Sequence, residues 1–206
     1  MEALGLYLLK SGLCSAAFLG IYLGFFRKET FYSFNRYFLG SGLLCSLLLP
    51  FYTYTYEVTV PVASGQLQHI SESSSGSQEN GNIWIYVLIG TYGLGFFTLM
   101  LRHFFGLMRI NKVISVAGYS KGDGYRLVQA ADFKSSFSFF NYIILDGSAD
   151  LIPTERKLVM EHELAHVQQQ HWVDLLLAQI FCAFQWFNPL AWVYLRAVRE
   201  NHEFLA

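Results

Sequence analysis

The chain has 206 residues and a formal net charge of -1, with 53% hydrophobic and 17% aromatic residues but only 14% charged ones. A soluble domain carries nearer a quarter charged residues, so the composition points to a membrane protein and away from an ordinary soluble one. Near-neutral charge, with no basic run interleaved with aromatics, also argues against direct nucleic-acid binding.

Residues 3–26 form an apolar stretch interrupted only by Lys10 and followed at once by Arg27 and Lys28. It is long enough to cross a hydrocarbon core of about 30 Å. The basic residue inside the segment, and Leu13 before Cys14, disfavour a cleaved leader and predict an uncleaved helix. A second span is predicted over 37–56, with Pro50 near its far end and Tyr52, Tyr54 and Tyr56 where an aromatic belt would lie. In 57–82 Ser, Gly, Gln, Asn and Glu dominate, which predicts a flexible loop with nothing to bury. The third span is 83–108.

Basic residues orient these spans. Arg27, Lys28 and Arg36 flank the first connection, and no lysine or arginine follows until Arg102. Positive charge marks the cytoplasmic side, so the N-terminus and the serine-rich loop are expected outside and 109–206 inside. Cys14, Cys45 and Cys182 lie in apolar runs with no metal-ligand spacing and read as small buried hydrophobes.

From 109 to 152 the balance is that of a small soluble domain. Strands are predicted over 125–129 and 138–145, the latter closed by Asp146-Gly147, with Gly118, Gly122 and Gly124 punctuating a turn before the first. A sheet edge beside a reactive helix can hold an extended peptide by backbone pairing, and Ser138, Phe139 and Phe140 are the candidate substrate-strand residues. Packing alone is the competing reading of the same strands.

His162-Glu163-Leu164-Ala165-His166 carries the chemistry. On a helix the two histidines point the same way one turn apart and can bind one metal ion, while the Glu163 carboxylate beside them can deprotonate a water that the ion activates. Pro153 suits a first helical turn, and no proline or glycine interrupts 154–174, which predicts one continuous helix. A catalytic zinc needs a third protein ligand. His69, His103 and His171 are poorly placed for it, and Asp174, Glu200, His202 and Glu203 stand as candidates. Asn188-Pro189 divides the apolar run 172–195, because proline disfavours helix in the residue before it. Two arms of about 15 residues, each roughly 22 Å long at 1.5 Å per residue, are too short to cross the membrane comfortably but suit a re-entrant hairpin. Such a hairpin returns Glu203 to the level of Val173.

The ordered set HELAH, His171 and Asp174, Trp186-Phe187-Asn188-Pro189, then Arg199 with Glu203-Phe204-Leu205-Ala206, resembles the BlaR/MecR-type membrane zinc metallopeptidases, the antirepressor proteases of beta-lactam sensing. Ser136-Phe137-Ser138-Phe139-Phe140 resembles that family's strand ahead of the motif. The resemblance implies Zn2+ held by His162, His166 and Glu203, the last from a gluzincin-like ExxAD segment, with Glu163 as general base. The sequence ends at Ala206, where the family's aspartate would follow, so it is read as truncated; Asp174, close to the same helical face as Glu163, is the candidate to support the ligands in its place.

The fold implied is mainly α: a polytopic membrane protein with three N-terminal transmembrane helices in a membrane domain 1–108. A small α+β cytoplasmic zincin-like protease domain follows over 109–206, including a re-entrant or membrane-associated helical hairpin over 172–206. The function implied is a zinc endopeptidase of a signalling system in the bacterial inner membrane, in contact with lipid and cleaving a cytoplasmic protein, such as a transcriptional repressor, or itself. Beta-lactam sensing comes from the resemblance alone, since no penicillin-binding-type SxxK set is present. A housekeeping membrane protease resembling the heat-shock and CAAX-processing metallopeptidases is the enzymatic alternative. A non-enzymatic transducer with a structural zinc is disfavoured, because structural sites are closed by four protein ligands, often cysteines.

Overall fold

The computed structural model describes residues 2–52, 83–131, 133, 135–147 and 152–206. The loop expected over 57–82, with His69, and the belt tyrosines Tyr54 and Tyr56 fall outside them. The described chain is mainly helical with one small sheet: α1 (Glu2–Ile21), α2 (Tyr32–Leu48), α3 (Ile83–Ala117), β1 (Ser120–Lys121), β2 (Arg126–Ala130), β3 (Phe137–Phe139), β4 (Tyr142–Asp146), α4 (Pro153–Gln168), α5 (His171–Phe184) and α6 (Pro189–Glu203).

Two helices are long and apolar enough to cross a membrane. One is α1 with the π-helical turn that prolongs it, Ala3–Phe26; the other is α3, Ile83–Ala117. No residue of α3 is buried, and its exposed side chains include Trp84, Leu88, Leu94 and Phe97. A helix apolar on its open faces fits a lipid surround rather than water. The segment expected as 37–56 differs in extent: α2 starts earlier, at Tyr32, and ends at Leu48, where Pro50 tightens the chain into a 3-10 turn, Leu49–Phe51. Helix α3 runs from Ile83 to Ala117, past residue 108.

Helices α1, α2, α5 and α6 share one apolar core around Leu19, Leu39, Leu43, Phe181 and Tyr194. Antiparallel pairing of α1 with α2 follows from Tyr7 Oη donating to the Leu47 carbonyl at 3.0 Å at one end and Asn35 Nδ2 to the Phe26 carbonyl at 3.2 Å at the other. The expected hairpin is present. Asn188 caps α6 by accepting from the Leu190 N–H at 3.0 Å, with Pro189 at the first helical position, and these residues stop α5 and start α6. The arms run antiparallel, since Cys182 lies against Ala191 near the tip and Asp174 against His202 near the base. The tip is fixed to α1 through Gln185 Nε2 on the Leu8 carbonyl (2.8 Å) and to α3 through Trp186 Nε1 on the Tyr92 carbonyl (3.2 Å). Glycine at position 95 permits the second contact, because a Cβ there would collide with the Trp186 ring. Of the cysteines, Cys182 is buried, while Cys14 and Cys45 are partly so.

The sheet has strand order β1-β2-β4-β3, with β2 and β4 parallel and the other pairs antiparallel. Alternation along β4 sends Ile144 towards Val113 and Ile114 of α3, and Ile143 and Leu145 towards Val159 and Val167 of α4. The strand expected over 138–145 is therefore a correction: it is a hairpin, β3 and β4, turning at Phe140 and Asn141. Phe140 adopts φ 50, a left-handed conformation that tight hairpins demand and that its side chain does not advertise. Only Ser138 and Phe139 of the three substrate-strand candidates lie on a strand. Phe140 instead packs its ring on Trp172 of α5, with centroids 4.1 Å apart.

The helix expected over 154–174 is also corrected. Pro153 opens α4, and the Glu155 carboxylate accepts the Ile152 N–H at 3.3 Å, but the helix stops at Gln168. Gln170 takes φ 53, the left-handed residue that commonly ends a helix, and α5 begins at His171 in a new direction. Gln169 and Gln170 make this break without proline or glycine.

Candidate metal centre

Helix α4 presents His162, Glu163 and His166 on its inner side, and the last turn of α6 brings Glu203 to them. One ligand atom from each of His162, His166 and Glu203 lies within 4.8 Å of the others. The two Nε2 atoms are 3.3 Å apart, and His162 Nε2 is 3.5 Å from a Glu203 carboxylate oxygen. Two nitrogens, each about 2.0–2.1 Å from a tetrahedral zinc, sit roughly 3.3 Å from one another, so the spacing fits such an ion. Two histidines and one carboxylate are also a donor set that zinc accepts while keeping a position for water.

Glu163 lies behind these groups, 7% exposed. Burial holds its carboxyl above the usual carboxylate range, and the hydroxyl of Ser138 on β3, which hydrogen-bonds to it, offsets part of that rise. His166 is pushed below its ordinary range, first by burial and then by the neighbouring His162, which keeps it in the neutral form that ligates metals.

The group opens into a cleft of about 1030 Å³ between α3, β3 and the α5–α6 hairpin. Apolar side chains line most of its length, among them Leu99, Leu107, Trp172, Ile180 and Trp192. Strand β3 forms the edge of the sheet on this side, and among the described residues its outer edge has no strand partner.

Of the candidate third ligands, Glu203 reaches the histidines. Glu200 is engaged elsewhere, with Arg196 at 2.8 Å and Arg27 at 3.5 Å. Asp174 is not beside Glu163 as a continuous helix would have put it. The break at Gln170 turns it towards α2, where its Oδ2 accepts from Arg36 Nε at 2.6 Å and from His202 Nε2 at 3.1 Å. Those two partners outweigh the effect of burial, which acts to raise it, and hold Asp174 below the usual carboxylate range. Its link to the candidate ligands is thus indirect, through His202.

Two further residues connect to this group: His171, which the sequence reading found poorly placed as a third ligand, and Arg36, which it used only to orient the spans. His171 is 2% exposed, with Nδ1 at 2.6 Å from Nδ1 of His166. Burial first, then the neighbouring His202 and His166, pushes it down to about 3. Arg36 is the other, and besides Asp174 it donates to the Gln169 carbonyl at 2.7 Å. That carbonyl closes α4, where a cation meets both an unpaired acceptor and the negative end of the helix dipole. The sequence held one signal for each: a histidine directly after a polar Gln-Gln-Gln run, and a lone arginine at the head of an apolar segment.

No protein-family model matches this sequence, and no curated protein matches it.

Proposed function

We propose that the chain is a membrane-embedded zinc endopeptidase of the BlaR/MecR-like kind, cleaving a cytoplasmic protein, or itself, at the membrane surface. The observation that carries the reading is the convergence of His162, His166 and Glu203 beside the buried Glu163 carboxylate, all facing one cleft. His162 and His166 would supply nitrogen ligands and Glu203 an oxygen. A zinc ion held there would act as a Lewis acid and bring the pKa of a water near neutrality. Glu163 takes the proton from the attacking water and returns it to the amine that leaves as the peptide C–N bond breaks. Its raised pKa brings it nearer the operating pH, which favours both transfers. The β3 edge offers unpaired backbone groups to an extended substrate, and Ser138 on that strand orients the Glu163 carboxylate. A site with three ligands that opens into a cleft favours catalysis over a structural zinc, which four protein ligands would close.

The membrane reading draws on the same geometry. Three spans, by α1, α2 and α3, would put Arg27, Lys28 and Arg36 at one end of the bundle, the end where Glu200, Asp174 and the ligands lie. The apolar length of α3 gives way at Arg102 and His103, which line the cleft. Substrate would then be met at the cytoplasmic surface. The test uses the full chain in lipid vesicles, with β-casein as an unstructured probe and self-cleavage as a second readout. Wild type is expected to bind one zinc and to cleave, with 1,10-phenanthroline stopping it. Glu163→Gln should keep the zinc and lose cleavage by about 100- to 10,000-fold. Normal cleavage by Glu163→Gln would overturn the assignment of the base.

A further inference from the structure

Behind the candidate ligands a chain of hydrogen bonds runs in one direction. His166 aims Nε2 at the point shared with His162, so in the neutral ring the proton sits on Nδ1. That proton faces His171 Nδ1 at 2.6 Å, which must accept it and therefore carries its own proton on Nε2. His171 Nε2 faces Gln169 Oε1 at 3.2 Å, and Gln169 Nε2 donates onward to the Leu205 carbonyl at 2.9 Å. Every donor meets an acceptor, and the sequence of tautomers is fixed from one end to the other.

A second branch meets the first. The rings of His171 and His202 stack with centroids 4.1 Å apart and an angle of 1° between their planes. His202 immediately precedes Glu203, and Asp174 holds its Nε2 at 3.1 Å. Arg36 of α2 touches both branches, through Asp174 Oδ2 at 2.6 Å and the Gln169 carbonyl at 2.7 Å. A metal-ligating histidine performs best when its other nitrogen is held, because that partner sets ring angle, tautomer and basicity.

We propose that His171 is a positioning residue for the metal ligand His166, accepting its Nδ1 proton, and that Arg36 locks this arrangement from α2. The inference rests on the zinc reading above and adds to it where the ligand geometry comes from: the α4–α5 break and a helix distant in sequence, rather than the HELAH turn alone. Since Arg36 sits on α2, a shift of α2 against α5 would alter the metal site without touching a ligand.

The experiment measures metal binding rather than turnover. In the full chain in detergent micelles, zinc affinity is read by competition with a chromophoric chelator, and site geometry by the visible absorption of bound Co2+. His171→Phe keeps a ring to stack on His202 but offers no acceptor, whereas His171→Asn places an oxygen near the position of Nδ1. Phe is expected to weaken zinc binding by about 10- to 100-fold and to change the Co2+ spectrum, and Asn to restore most of both. Arg36→Met should act in the same direction as Phe. If wild type binds zinc and His171→Phe binds it equally well, the positioning role is overturned while the zinc reading stands. If Phe retains affinity and Asn loses it, ring stacking matters and the hydrogen bond does not, which also overturns it. Should Phe fail to fold, His171→Asn is compared with His171→Ala: tighter binding by Asn supports the proposal, and equal weakening refutes it. If wild type itself binds no zinc, the zinc reading fails first and the proposal with it.

Discussion

Glu163 is poised between opposing influences, and the balance has a measurable consequence. Burial raises its pKa, with Glu203 acting in the same direction, while Ser138 and His162 act to lower it. As the proposed general base, Glu163 would work only when ionised, so cleavage should fall as pH drops through its pKa. Removing the donor in Ser138→Ala lets the pKa rise further and should move the acid limb of kcat/KM to higher pH, with the fold intact by circular dichroism. An unmoved limb would show that Ser138 does not touch the ionised base. His171 gives a second pH dependence, in stability. In an unfolded chain it titrates near 6.5, and in the folded one near 3, so between those values the unfolded state binds more protons. Stability of the metal-free chain should therefore fall on acidification from about pH 6.5 towards pH 3. The thermal midpoint of His171→Asn, followed over the same range, should lack that component; parallel curves for the two proteins would mean that His171 is not held neutral. At this scale the approach of His162 to His166 was legible because four-residue spacing fixes their geometry on any helix. His171 was not, since its approach to His166 depends on a change of direction between them.

That change of direction belongs to the elements. The sequence 154–174 contains no residue that obliges a helix to stop, and local propensity favours continuing. Tertiary contacts override it: the Gln169 carbonyl is taken by Arg36 and the Gln169 side chain by His171 and Leu205, which together favour a left-handed Gln170. The β3–β4 turn was hidden for a related reason, as Phe140 takes positive φ where glycine, asparagine or aspartate would have announced a hairpin. The α5–α6 turn, in contrast, was written plainly in Asn188-Pro189, a cap followed by a residue that fits only a first turn. These differences yield a prediction at Gln170, which is exposed and makes its contribution through backbone shape. Gln170→Gly should stabilise the chain by about 0.5–1 kcal/mol by relieving the left-handed penalty, and Gln170→Val should destabilise it. Thermal denaturation in micelles distinguishes them. A loss of stability in Gln170→Gly would contradict the left-handed assignment.

Over the whole molecule, the decisive question for the proposed function is which side of a membrane the candidate ligands would face. Helix α1 is part of the shared core through Leu19 and Tyr22, and it ties the hairpin tip through the Leu8 carbonyl. Removing it would strip those contacts from the bundle. The apolar length of 3–26 pointed to a helix long enough to span, but not to its packing against α6. From tip to base, α1 runs alongside α6, with Gly12 near Asn188 and Arg27 near Glu200, so the N-terminal part of α1 and the hairpin tip lie at one end and the ligands at the other. Helix α3 starts at the tip end too, as Tyr92 is bonded to the tip and residues from Leu99 onward line the cleft. With Arg27, Lys28 and Arg36 all at the end of the bundle where His162, His166 and Glu203 lie, the proposed three-span arrangement would, by the positive-inside rule, have that end in the cytoplasm. Single cysteines introduced at Ser75 and Asp123, on a background with Cys14, Cys45 and Cys182 replaced, test this with a membrane-impermeant maleimide. Position 75 should react in intact cells and position 123 only after the membrane is opened. Reaction of both from the same side would refute the three-span arrangement, and with it the delivery of substrate to the cleft from the cytoplasm.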